Sequence, residues 1–276
     1  MTRVRTDPST LVAEWQRLSS QYPTDLVSAF GSKMPVVQRS KEILMAWNAL
    51  KVHYHGWKAH QVERKEHPRC FAYGPPGSGK TKFGVELIQL LKSYVQQIVD
   101  SNKATSEDKE ILKLLSNSIF IHITFANGNG LLEDEHIETA LVVRGIRSLF
   151  GLNEMKISMF YSQFGDRIKN WNLDTLMNVA KQHDTKPNGD PRMIYIHLDE
   201  FNHLHNKDQK IFKQVVDLLS TSLCTPLPEV FYNVLFTGTA YTEMKKLGVS
   251  ESYPLTELPM QILDTEGNPY LFTIYY

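Results

Sequence analysis

One octapeptide constrains this chain more than any other feature. Gly74-Pro75-Pro76-Gly77-Ser78-Gly79-Lys80-Thr81 fits the pattern G-x-x-x-x-G-K-S/T. It stands between an apolar run, Arg69 to Tyr73, and a stretch with apolar residues at helical spacing, so a strand–loop–helix unit is expected around it. Polyphosphate oxygens are held by backbone N–H groups, which need an approach that a Cβ would block, and the following helix N-terminus adds positive dipole. Gly74, Gly77 and Gly79 supply that access, with Pro75, Pro76 and Ser78 completing the loop. Lys80 is expected to reach the β- and γ-phosphates as a point charge, and the Thr81 hydroxyl to take one position on magnesium. The ligands implied are ATP and Mg2+; a Gly-rich turn without function is the bland alternative.

The matching half lies further on. Met193-Ile194-Tyr195-Ile196-His197-Leu198-Asp199-Glu200 is an apolar strand ending in two acids. Asp199 is expected at the metal, and Glu200 is expected to polarise a water for in-line attack on the γ-phosphate. Acids at that position also commonly cap the next helix, and this reading stays open beside the catalytic one. A third strand runs into Val234-Leu235-Phe236-Thr237-Gly238-Thr239, where Thr237 is either a γ-phosphate sensor or ordinary turn chemistry. Phe125-Ala126-Asn127-Gly128-Asn129-Gly130 reads first as turns with positive φ. Arg144 and Arg147 follow on a helix; either could point at a nucleotide, but solvation or ion pairing is the expectation for both.

Other residues narrow the reading. His53, His55, His60, His67 and the pair His203 and His205 come without a matching Cys or carboxylate set, so no zinc site is expected. Asn206-Lys207-Asp208 is one residue short of a guanine-reading Asn-Lys-x-Asp, which leaves ATP as the default over GTP. The net charge is +0, removing a whole-chain electrostatic case for nucleic acid or anionic membrane, although residues 1–70 hold 11 Lys or Arg against 6 Asp or Glu. The two cysteines, Cys70 and Cys224, fit a reducing compartment and core packing. No apolar run has the length of a spanning helix, and MTRVRTDPST lacks the apolar core of a secretory signal, so an intracellular place with no membrane partner is expected.

The texture of the chain gives the fold class: α/β, with a central, mainly parallel sheet flanked by helices and a helical N-terminal segment before it. Strands are predicted at 69–73, 119–125, 193–198 and 230–236, with a terminal pair near 255–263 and 270–276. Helices are predicted near 8–20, from about 36 towards 60, and near 80–99, 106–116, 133–150, 173–183, 207–223 and 240–247. The division expected is 1–68 as a helical appendage and 69–276 as the P-loop NTPase domain.

The order GPPGSGKT, FANGNG, IHLDEF, LFTGTA and SYPLTELPMQIL resembles the NTPase module of Crinkler-type proteins, over about residues 69–263. That resemblance implies an ATPase of the additional-strand, catalytic-glutamate class. Lys80 and Thr81 then match nucleotide and metal binding, Asp199 and Glu200 metal and water activation, and Thr237 the sensor strand. It also implies an effector acting in a host cell, in its nucleus, and often beside a restriction-endonuclease-like domain. That nuclease domain, a helical lid with a second sensor arginine and the family's leader region are not legible here. Slow turnover is therefore expected, with an arginine finger coming from a protein partner or a second copy, or activation by nucleic acid. The rival from another class is a nucleotide-switched interaction module with little hydrolysis.

Overall fold

The computed structural model describes residues 8–20, 39–183, 191–225, 227, 229–239, 241–250 and 254–262. Five strands form one sheet: β1 (Arg69–Tyr73), β2 (Ser118–Thr124), β3 (Arg192–Asp199), β4 (Val230–Gly238) and β5 (Leu255–Pro259), in the order β2-β3-β4-β1-β5. All four pairings are parallel. Parallel neighbours need crossover connections, and helices supply them, which is why the strands read as apolar runs bounded by helical stretches. The α/β class, the parallel sheet and the helical N-terminal segment are as expected.

The helices are α1 (Pro8–Ser19), α2 (Ser40–Lys58), α3 (Lys80–Asp100), α4 (Ser106–Ser116), α5 (Ile137–Leu149), α6 (Ile157–Ile168), α7 (Leu173–His183), α8 (Asn202–Lys207), α9 (Gln209–Leu223) and α10 (Tyr241–Ser250). Three differences from the sequence reading have physical causes. The stretch 207–223 is broken at Asp208, whose extended backbone and side chain cap α9 by accepting from Lys210 N. Helix α5 begins four residues late, because Glu135 is used elsewhere, accepting from Leu132 N and Arg144. Helix α6 was not expected, although Ile157, Phe160, Phe164 and Ile168 are spaced on one helical face and all are buried. The strand expected at 270–276 lies outside the described residues.

Side-chain alternation along the strands divides the core into two layers. Ile194, Ile196 and Leu198 of β3, with Val234 and Phe236 of β4, face a layer completed by α5, α6, α7, α9 and α1. Here Trp15 of α1 packs against Phe150, Phe160, Phe164 and Trp171. Met193, Tyr195, Phe231 and Leu235 face the opposite layer, formed by α3, α4 and α2. Trp47, Leu50, Tyr54 and Trp57 of α2 belong to this second layer, so helices of the N-terminal segment lie against both faces of the sheet. Strand β2 alternates half-buried with buried residues, because it is an edge strand fully covered on one face only. Among the described residues, no helix is long and apolar enough to cross a membrane.

Candidate functional site

The same alternation builds the site. Residues 193, 195, 197 and 199 of β3 share the face that α3 covers, and in register beside them Thr237 of β4 pairs with Asp199 and Leu235 with His197. Strand β2 contributes Thr124 opposite Asp199 and His122 opposite His197. Helix α3 approaches closely because its second turn carries Gly84, where a Cβ would stand 2.3 Å from His197 Nε2. The Tyr195 hydroxyl fixes that approach by donating to Gly84 O at 2.8 Å.

The loop 74–81 joins the end of β1 to the first turn of α3. Its glycines do different work. Gly77 and Gly79 have φ of 80° and 82°, the left-handed region that a side chain disfavours, and a Cβ on either would meet nothing within 4 Å, so the cradle there is open. Gly74 is required by packing, since a Cβ would lie 2.0 Å from Met260 O. Lys80 Nζ donates to Gly74 O and Pro75 O, both at 2.9 Å, so the ammonium lies against the loop's own carbonyls. Burial lowers its pKa, while Glu200 and Asp199 act in the opposite direction. Ser78 Oγ is buried without a hydrogen-bond partner among the described residues.

Asp199 is the hub. Thr81 Oγ1 donates to its carboxylate at 2.9 and 3.1 Å, and the Thr237 hydroxyl donates to Oδ1. Because Thr237 gives its proton to Asp199, it accepts at 2.8 Å from His197 Nε2, which fixes the His197 tautomer as Nε2–H and leaves Nδ1 buried and unpartnered. Burial alone would raise the Asp199 carboxyl; His122, His197 and the Thr237 hydroxyl outweigh it and hold the group below the usual carboxylate range. His122 Nε2 stands 3.7 Å from Asp199 Oδ2, too far for a hydrogen bond, and its effect is electrostatic. His197 is pushed down to about 3, by burial first, with Asp199 partly compensating, so its ring is neutral at neutral pH.

Glu200 follows with φ of 50°, in the left-handed region. Helix α8 begins at Asn202 with Phe201 as its cap residue and has no side-chain cap, so nothing in the helix start calls for the Glu200 carboxylate. The turn after β2 has positive φ at Asn127 and Gly128, as the first Asn-Gly pair suggests.

Neither Arg144 nor Arg147 is solvated. Arg144 is buried, paired with Glu135 at 2.8 Å, and donates to Asn129 O and Gly130 O, with Tyr161 completing the Glu135 contacts at 2.6 Å. Arg147 donates to Asn129 Oδ1 and to the carbonyls of Asn153 and Met155. Arg144 is spent holding the loop after β2, and Arg147 ties that loop to the one between α5 and α6. Lys207 of the Asn206-Lys207-Asp208 tripeptide donates to Leu131 O.

The structure thus brings Thr81, Asp199 and Thr237 into one hydrogen-bond network, with Lys80 and Glu200 adjoining it in sequence. Sequence reasoning missed His122, His197 and Gly84. The two histidines carried a usable signal, since each lies two residues before the strand end and so on the same face as Thr124 and Asp199.

No protein-family model matches this chain, and no curated protein matches it. Among solved structures it aligns with a chain of a structure described as Drosophila ORC bound to DNA, at 14% identity and a TM-score of 0.35. The alignment covers 93% of this chain and 48% of that one, so this chain spans about half the length of its neighbour. A likeness at that level carries no functional argument.

Proposed function

We propose that this chain binds ATP with Mg2+ at the loop 74–81 and hydrolyses it. The observation that carries this reading is the direct contact of Thr81 with Asp199, beside a loop whose Lys80 ammonium, among the described residues, is satisfied by carbonyl oxygens alone. Thr81 and Asp199 would hold Mg2+, which when bound would neutralise charge on the β- and γ-phosphate oxygens. Lys80 exchanges the Gly74 and Pro75 carbonyls for phosphate oxygens, a gain in charge complementarity. Glu200 orients a water and accepts its proton as the water oxygen bonds to the γ-phosphorus and the bond to the β-phosphate oxygen breaks. Non-glycine residues with positive φ cluster at functional sites, and Glu200, at φ of 50°, has no capping role. Thr237, hydrogen-bonded to Asp199, acts as the sensor that connects the γ-phosphate to the metal carboxylate.

The division kept for this reading is 1–68 as the helical segment bracing the site and 69–276 as the NTPase domain. With Arg144 committed to the loop after β2 and Arg147 to that loop and the α5–α6 loop, the charge that speeds hydrolysis comes from a protein partner or a second copy of the chain. That same observation favours the second reading, a nucleotide-switched interaction module in which occupancy outlasts turnover. The motif order GPPGSGKT, IHLDEF, LFTGTA supports the finer reading of a Crinkler-like effector ATPase acting in a host cell. The test is calorimetric ATP binding to the parent and to Lys80→Ala: the variant should fold and lose tight binding. Equal affinity in a folded Lys80→Ala protein overturns the assignment.

A further inference from the structure

Arg39, just before α2 and 7% exposed, donates through Nη2 to Ser78 O inside the phosphate loop and to Gln261 O after β5, both at 2.8 Å. These two bonds use both hydrogens of that nitrogen.

The consequence for the loop follows from peptide geometry. In a planar trans peptide the carbonyl and the following N–H point in opposite directions. Holding Ser78 O on the Arg39 side therefore turns the Gly79 N–H to the other side, at the N-terminus of α3, where an anion would be received. Gly79, at φ of 82°, is the residue most able to rotate out of that orientation, so an external anchor on the preceding carbonyl has something to restrain. The loop is braced a second time on the same segment. Gly74 packs on Met260 O, and Met260 N donates to Tyr73 O at 2.7 Å.

Charge points the same way. Among the described residues no carboxylate lies within ion-pair distance of Arg39; Glu42 acts on it only through space, and burial lowers its pKa. A desolvated cation without an anion is costly, and bound polyphosphate on the other side of the loop would supply the missing charge.

We propose that Arg39 is a positioning residue of the phosphate loop, whose bonds to Ser78 O and Gln261 O tie nucleotide occupancy to the seating of the start of α2 and of residues 260–262 on the sheet. The proposal rests on the reading of 74–81 as a triphosphate site. By linkage, whatever loosens the start of α2 weakens nucleotide binding by the same factor that the nucleotide tightens it.

The experiment compares Arg39→Met, which keeps most of the apolar stem, with Arg39→Lys and Lys80→Ala, reading ATP affinity with Mg2+ and the melting temperature without nucleotide. Arg39→Met should lose about ten- to a hundredfold in affinity when measured well below its melting temperature, and nucleotide-free melting should also fall because Ser78 O and Gln261 O lose their donor. Arg39→Lys should regain part of that loss, since an ammonium can still donate to both carbonyls. Parent affinity in Arg39→Met while Lys80→Ala has lost binding overturns the role of Arg39 alone. Unaltered binding in Lys80→Ala overturns the site itself. Equal losses in Arg39→Met and Arg39→Lys overturn the hydrogen-bond account. Should Arg39→Met not fold, amide exchange on the parent decides: ATP with Mg2+ should protect 39–43 and 260–262 together with 77–79, and protection confined to the loop overturns the proposal.

Discussion

Thr81 Oγ1 donates to both carboxylate oxygens of Asp199, at 2.9 and 3.1 Å, across a separation of 118 residues. A hydroxyl and a carboxylate that bond each other directly are set to share a cation, because both present oxygen to the same point. Asp199→Asn should therefore weaken ATP binding in the presence of Mg2+ far more than binding measured with EDTA. Equal losses under the two conditions would mean that Asp199 serves the fold and not a metal.

Glu200→Gln keeps size and hydrogen bonding but removes the base, so ATP turnover should fall by roughly 10²–10⁴-fold with affinity retained. Melting temperature should not move, since no helix cap is lost. Glu200→Gly should abolish turnover equally and hold or raise stability by up to about 1 kcal/mol, because glycine tolerates φ of 50°. Parent turnover in Glu200→Gln would leave the nucleotide-switch reading in possession of the site.

Arg144 and Glu135 form a buried pair at 2.8 Å, each 2% exposed. Removing one partner strands the other, so Arg144→Met should cost about 3–5 kcal/mol in urea unfolding. Turnover per folded molecule, measured well below the melting temperature, should match the parent. A selective loss of kcat with stability intact would instead make Arg144 the missing finger.

His53 Nε2 donates to Tyr232 O, His67 Nε2 faces Gln61 O at 2.8 Å and the two Nδ1 atoms stand 2.8 Å apart, three hydrogen-bonding positions for the two N–H groups of two neutral rings. Burial first, with repulsion from His67, pushes it down to about 3, against a partly compensating bond to Tyr232 O. The unfolded chain takes up this proton near pH 6.5 and the folded chain does not, so stability is full above pH 6.5 and declines as pH falls from there towards 3. Between pH 7.5 and 5.5 the parent should lose about 1 kcal/mol more than His53→Gln in matched urea titrations. An identical pH dependence in the two proteins would show that the His53–His67 pair keeps a shared proton in the native state.

Much of this protein could be read from residue order alone, because the relevant physics is local. The span Arg69–Tyr73, the loop at 74–81 and the start of α3 follow from an apolar run, glycines that admit positive φ and apolar residues at helical spacing. The acidic end of β3 is likewise a local signal, and the parallel class follows from strands alternating with helices. Local patterning could not say that β4 would insert between β1 and β3, which sets Thr237 beside β3 and gives its hydroxyl Asp199 to donate to and His197 to accept from. Nor could it say that Arg144 would be consumed by the loop after β2 and Arg147 by that loop and the one between α5 and α6, since the choice between solvent, carboxylate and carbonyl depends on what packs around them. Arg39 is the extreme case: its partners are backbone carbonyls, which every residue has, so only tertiary structure could select Ser78 and Gln261 from among them.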